Sequence, residues 1–99
     1  MKIATRLYIE LHITIEAGDD FQEFLTVCKY LNWKGSRFDQ DEVDDYHGKW
    51  FMSDRLHKFS EVRPRLANAI AILEHKGYKV LRWKAEDTLL DSKYGDILP

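Results

Sequence analysis

Residues 6–16 read Arg-Leu-Tyr-Ile-Glu-Leu-His-Ile-Thr-Ile-Glu. Every odd position is aliphatic, and every even position is polar, charged or tyrosine. Side chains of a strand alternate between its two faces. The segment therefore predicts a β-strand with one apolar face and one face carrying Tyr8, Glu10, His12 and Thr14.

Ala17-Gly18 breaks this pattern, and Asp19 or Asp20 is placed to cap a following helix. Phe21, Phe24, Leu25, Cys28 and Leu31 recur at helical spacing, with Val27 beside them. They predict an amphipathic helix of about three turns, ending near Asn32, with Gly35 marking the turn beyond. Residues 34–47 suggest a short strand around 36–38 followed by the acidic run Asp39, Asp41, Glu42, Asp44 and Asp45. After Gly48, residues 49–56 suggest another strand, so the region reads as a hairpin with a polar tip.

A second helix is predicted from Ser60 as N-cap, with Glu61 at the positive end of its dipole and Pro64 in the first turn. Val62, Leu66, Ala69, Ile70 and Leu73 form its apolar stripe, and Gly77 suits its C-terminal turn. A last strand over 78–86 puts Leu81, Trp83 and Ala85 on one face and Val80, Arg82, Lys84 and Glu86 on the other.

The order strand, helix, strand, strand, helix, strand predicts an α+β fold of the ferredoxin-like βαββαβ type. Its four-stranded antiparallel sheet would carry both helices on one face. The domain is expected over residues 1–88. A C-terminal extension, 89–99, carries Leu89, Leu90, Tyr94, Ile97 and Leu98 and is expected to pack against the domain. In this arrangement the first and last strands are neighbours, so Glu10, His12 and Thr14 share the open face with Arg82, Lys84 and Glu86.

Composition changes this picture little. Ninety-nine residues make one domain, and a hydrophobic fraction of 44% is enough for a core. Fifteen Lys and Arg against seventeen Asp and Glu leave a net charge of -2, which neither points to nucleic acid nor excludes it and is compatible with a local basic patch. Cys28, the single cysteine, allows no internal disulfide and falls in the helical apolar pattern, where it reads as a small core residue. No apolar run approaches the ~18 residues of a membrane span, and a cytoplasmic setting is expected.

Candidate chemistry gathers on the open face. His12 is an acid or base near neutral pH, Arg82 and Lys84 suit a phosphate or carboxylate, and Tyr8 offers a stacking surface. Glu10 and Glu86 complete the candidate ligand-binding set. The plainer alternative is a solvated face whose opposite charges pair across strands.

The triplet His12-Ile13-Thr14 resembles the H-x-T motif of the two-histidine phosphoesterases, which act on cyclic phosphates and RNA ends. That resemblance implies catalytic roles for His12 and Thr14. The family needs two such motifs, one in each lobe of a longer chain. Here the resemblance covers three residues, and the other candidate segment, His57-Lys58-Phe59, lacks the hydroxyl residue, so a homodimer would have to supply the second copy.

The acidic run with His47 offers oxygen ligands but lacks the glycine and twelfth-position glutamate of an EF-hand loop, and it reads as a solvated tip. Trp33, Trp50 and Trp83 read as core or rim; if Trp50 and Tyr8 both faced outward, the sheet would offer a base-stacking platform. The phase of the Trp50 strand is left open by the pattern. Gly-rich phosphate loops, paired cysteines, H-E-x-x-H and nucleophile elbows are absent, and His47, His57 and His75 show no ligand spacing, so no metal or cofactor is expected.

The reading that follows is a small interaction or regulatory module. It would use its open sheet face to bind a protein partner or an anionic ligand such as a nucleotide or RNA. An H-x-T phosphodiester-processing enzyme and a purely structural homodimer are the alternatives, and the interaction module is favoured over the enzyme.

Overall fold

The computed structural model describes residues 8–37 and 48–88. Strand β1 (Tyr8–Glu16) leads to helix α1 (Phe21–Leu31), then to β2 (Lys34–Arg37) and β3 (Lys49–Leu56). A 3-10 turn (Phe59–Glu61) runs into α2 (Val62–His75), and β4 (Val80–Thr88) follows. The sheet order is β2-β3-β1-β4, with every neighbouring pair antiparallel. The domain is thus a small α+β unit of one four-stranded antiparallel sheet and two helices. The acidic run, the 38 end of the expected second strand and the extension 89–99 lie outside the described residues.

The alternation in β1 has its expected consequence. Leu11, Ile13 and Ile15 are at most 1% exposed and pack with Phe24, Cys28 and Leu31 of α1 and Leu66, Ala69 and Leu73 of α2 in one core cluster. Both helices therefore cover the same face of the sheet. Strand β3 joins that core through Trp50, opposite Ile15, and Met52, opposite Ile13. Its phase is thereby settled, and Phe51, Ser53 and Arg55 stand on the other face. Phe21, Phe24, Trp50 and Tyr78 form an aromatic cluster with ring centroids 5.2–5.9 Å apart, within the range where edge and tilted contacts are favourable.

Asp20 caps α1, its Oδ1 accepting a hydrogen bond from the Glu23 N–H at 3.2 Å. The helix stops at Asn32, which adopts the left-handed conformation at φ 62°. There the Asn32 N–H donates to the Lys29 carbonyl and the Trp33 N–H to the Cys28 carbonyl, satisfying two end carbonyls that the helix leaves open. Asn32 therefore makes the turn expected of Gly35. Asparagine tolerates positive φ because its short side chain hydrogen-bonds locally. Gly35 instead lies inside β2, where an added Cβ would stand 2.8 Å from Cys28 Sγ and 2.9 Å from Leu25 Cδ2. It lets α1 approach the strand.

The start of α2 also departs from expectation. Ser60 sits within the 3-10 turn, and no side chain caps the helix. The turn satisfies its own backbone, the Glu61 N–H donating to the Lys58 carbonyl at 3.0 Å, so a hydroxyl cap is not required. Pro64 falls in the first turn, where its missing N–H is harmless. At the other end Gly77, at φ 91°, repeats the arrangement at Asn32: its N–H reaches the Glu74 carbonyl and the Tyr78 N–H the Leu73 carbonyl. Arg65 ties α2 to the rest. Its Nε donates to Asp54 Oδ2 at 2.7 Å, its Nη2 donates to the Asn32 carbonyl at 2.9 Å, and its guanidinium lies 5.5 Å from the centre of the Trp33 ring.

On β4 the apolar side is less buried than alternation suggests. Trp83 opposes Ile13, on the helix side, yet is 58% exposed, and Leu81 is 43% exposed. The register steps between Thr14, opposite Arg82, and Ile15, opposite Val80, which leaves Leu81 as the extra residue of a bulge. Val80, not Leu81, packs on the core.

Two predictions follow from this packing. Gly35→Ala should lower stability by about 1–3 kcal/mol in urea unfolding, the usual cost of overpacking; an unchanged midpoint would contradict the close approach of α1 to β2. Cys28 is buried, and burial pushes its thiol up to about 11. At pH 8 only about one thiol in a thousand is then ionised, so an aromatic disulfide reagent should label Cys28 only after denaturant is added. Rapid labelling of the native protein would show that α1 does not shield it.

Candidate functional site

Because β1 is an internal strand, its even-numbered side chains meet neighbours on both sides of the open face. Thr14 stands between Phe51 of β3 and Arg82 of β4, and Ser36 of β2 lies beyond Phe51. His12 stands between Ser53 and Lys84, with Lys34 beyond Ser53. Glu10 stands between Arg55 and Glu86. Directly opposed residues on one face have Cβ atoms about 5 Å apart, so these rows bring their side chains within contact range.

Two of the rows border a groove of about 400 Å³ lined by His12, Thr14, Ser36, Phe51, Ser53, Arg82 and Lys84. It combines two permanent cations, three hydroxyls, an imidazole and one aromatic ring. The third row closes one end with carboxylates. His12 Nε2 lies 3.7 Å from Glu10 Oε1 and 3.6 Å from Glu86 Oε1, and Lys84 Nζ lies 2.6 Å from the same Glu86 oxygen. The hydrogen bond and charge of Lys84 hold the Glu86 carboxyl below its ordinary value, with smaller help from His12 and Arg82. These side chains are between a third and a half exposed, so their ion pairs are screened and individually weak.

The residues expected to form a site thus fall into three groups. His12, Thr14, Arg82 and Lys84 line one groove. Glu10 and Glu86 adjoin it through His12 and Lys84. Tyr8 does not offer the open stacking surface expected of it: it is 4% exposed, and the Arg55 guanidinium lies 5.2 Å from its ring centre. Trp50 faces the core, so the Tyr8–Trp50 platform does not form. The groove's aromatic ring is Phe51, which is half-buried.

Phe51, Ser53 and Ser36 went unrecognised in the sequence. Strand β3 carries aromatics on both parities, Trp50 and Phe51, and its core-side Asp54 is neutralised by Arg65. Neither parity therefore reads as the apolar one. The polar pair Ser53 and Arg55, two apart, was the available signal.

A second hollow of about 460 Å³ is bordered by Glu10, Asn32, Trp33, Lys34, Ser53, Asp54 and Arg55. It also holds two cations, Lys34 and Arg55, but the carboxylates of Glu10 and Asp54 stand in its own lining, Asp54 being paired with Arg65, whereas, among the described residues, the first groove has no carboxylate in its lining. Among the described residues, no group of three or more His, Cys, Asp or Glu is placed to hold a metal ion. No described helix is long and apolar enough to cross a membrane.

Set against known proteins, the chain matches no family model, no curated protein and no solved structure.

Proposed function

We propose that this chain is a ferredoxin-like plait acting as a small interaction or regulatory module, and that it binds an anionic ligand in the open-face groove. The strand order supports the fold reading. Taken from the other edge it runs β4-β1-β3-β2, so β3 lies between β1 and β2, and β1 lies between β3 and β4. Each strand–helix–strand unit is split by a strand of the other, which is the plait's defining arrangement.

One observation carries the ligand reading: Arg82 and Lys84 stand opposite Thr14 and His12 along one groove. Guanidinium and ammonium donors beside hydroxyls suit phosphate or carboxylate oxygens. A phosphate-bearing nucleotide or RNA end fits this chemistry. Fold alone would not support a function.

The phosphodiesterase alternative uses the same groove. His12 would act as acid or base, Thr14 would orient a phosphate, and Arg82 and Lys84 would stabilise charge. It is favoured only by the shared placement of His12 and Thr14, and it needs a second copy of the chain. A structural homodimer packed sheet to sheet would bury Glu10, Arg82, Lys84 and Glu86, at a cost the interface would have to offset. The single buried thiol supports a cytoplasmic setting.

Titration of the 15N-labelled protein with inorganic phosphate, mononucleotides and short RNA and DNA oligomers tests the reading. Saturable amide shifts are expected at Thr14, Ser53, Arg82 and Lys84. Arg82→Ala and Lys84→Ala should each weaken binding about tenfold, the loss of one charge-assisted hydrogen bond. Absence of shifts across the whole panel would rule out both the anion-binding and the phosphodiesterase readings. A monomeric mass in solution would exclude the latter even if anions bind.

A further inference from the structure

Resting on the anion-binding reading of this face, we infer that the groove selects a dianionic phosphate group, as in a phosphomonoester, and that Glu86 is its internal competitor, displaced from Lys84 when the ligand binds. The geometry points to this through a single oxygen. Glu86 Oε1 sits 2.6 Å from Lys84 Nζ and 3.6 Å from His12 Nε2. A carboxylate of the chain itself therefore takes the position from which a ligand oxygen would engage the Lys84 ammonium beside the His12 imidazole. A glutamate is already ionised at neutral pH, and the hydrogen bond and charge of Lys84 hold Glu86 further toward that form, so the competitor is charged under the conditions of the test below.

Arg82 differs from Lys84. Among the described residues it makes no ion pair, although it borders the same groove and stands opposite Thr14. Among the described residues, the groove thus presents one cation in direct contact with a carboxylate and one, Arg82, whose charge reaches Glu86 only at longer range. This asymmetry sets the ligand class. A carboxylate ligand that replaced Glu86 on Lys84 would exchange one monoanion for another and gain little. A phosphodiester brings one charge and two unesterified oxygens. A phosphomonoester brings about two charges and three acceptor oxygens. Its three acceptors match in number the donors that Lys84, Arg82 and the Thr14 hydroxyl bring to one groove, whereas the Glu86 carboxylate is in direct contact with Lys84. Double charge offsets the loss of the Lys84–Glu86 pair, and planar donors on Arg82 match two of its oxygens.

The experiment compares inorganic phosphate, adenosine monophosphate, dimethyl phosphate and acetate at pH 7.5 by amide shift titration. It uses the wild-type chain, Glu86→Gln and Glu74→Gln. Glu74 is exposed on α2, away from the groove lining, and its substitution makes the same change in net charge. Glu86→Gln should tighten phosphate and adenosine monophosphate binding about three- to fivefold, the equivalent of one exposed ion pair, while Glu74→Gln should change it less than about 1.5-fold. Dimethyl phosphate and acetate should bind the wild type at least about fivefold more weakly than phosphate. A tighter complex with adenosine monophosphate than with phosphate would assign the site to an ester; equal affinities would assign it to the phosphate group alone, and both agree with the inference.

Two results would overturn it. One is a Glu86→Gln protein that binds phosphate no more tightly than the wild type. The other is dimethyl phosphate or acetate binding as well as phosphate. If the wild type binds anions and either result appears, the competitor inference fails while the anion-binding reading survives. If no anion shifts the groove in either protein, both fail together.

Discussion

The burial of Leu11, Ile13 and Ile15 beneath two helices is the constraint on which the remainder of this structure depends. Each is essentially inaccessible to water, and burying such a side chain is worth about 1.5–3 kcal/mol. A strand has a period of two, so a slip of one residue would exchange the whole set for Glu10, His12 and Thr14. Placing a carboxylate and an imidazole in the core without partners would cost more than a small domain can offset. The register of β1 is therefore locked. Because β1 is internal, it fixes the rows of side chains contributed by β3 and β4 as well.

The candidate site is a by-product of that lock. No loop rearrangement or helix terminus is needed to bring His12, Thr14, Arg82 and Lys84 together; the antiparallel pairing of β1 with β4 does it. The bulge at Leu81 lies beyond Thr14 and Arg82, so it leaves this part of the ladder intact. Groups placed on paired strands are held more firmly than groups on loops, which suits a surface whose ion pairs are individually weak. On this face the carboxylates of Glu10 and Glu86 share a row with Arg55, while the rows of His12 and Thr14 carry cations and hydroxyls without a carboxylate. Glu86 lies at the boundary and is shared between the two regions through Lys84 and His12.

Much of this was legible in the sequence because β1 and the two helices have unambiguous periods. Tyr8, Glu10, His12 and Thr14 are even-numbered and fall on the face opposite the core. The limits of such reading are equally physical. Alternation says on which side of a sheet a residue lies, not what covers it. Tyr8 is buried on the open side, whereas Trp83 is exposed on the helix side. Gly35 looks like punctuation but serves close packing of α1 on β2, a distance no local pattern encodes. Ser60 has the chemistry of a cap, but a 3-10 turn already supplies the hydrogen bond. Phe51 and Ser53 were hidden because Asp54, on the core side of β3, is matched by Arg65 from a helix eleven residues later.

A crystal of the protein soaked in tungstate tests the central claim most directly, because tungstate is a tetrahedral dianion whose position can be read from anomalous scattering. The account predicts one dominant peak on the open face, within hydrogen-bonding distance of Thr14, Arg82 and Lys84, with the Glu86 carboxylate turned away from Lys84. A groove without anomalous signal, or a dominant peak on another face of the molecule, would contradict it.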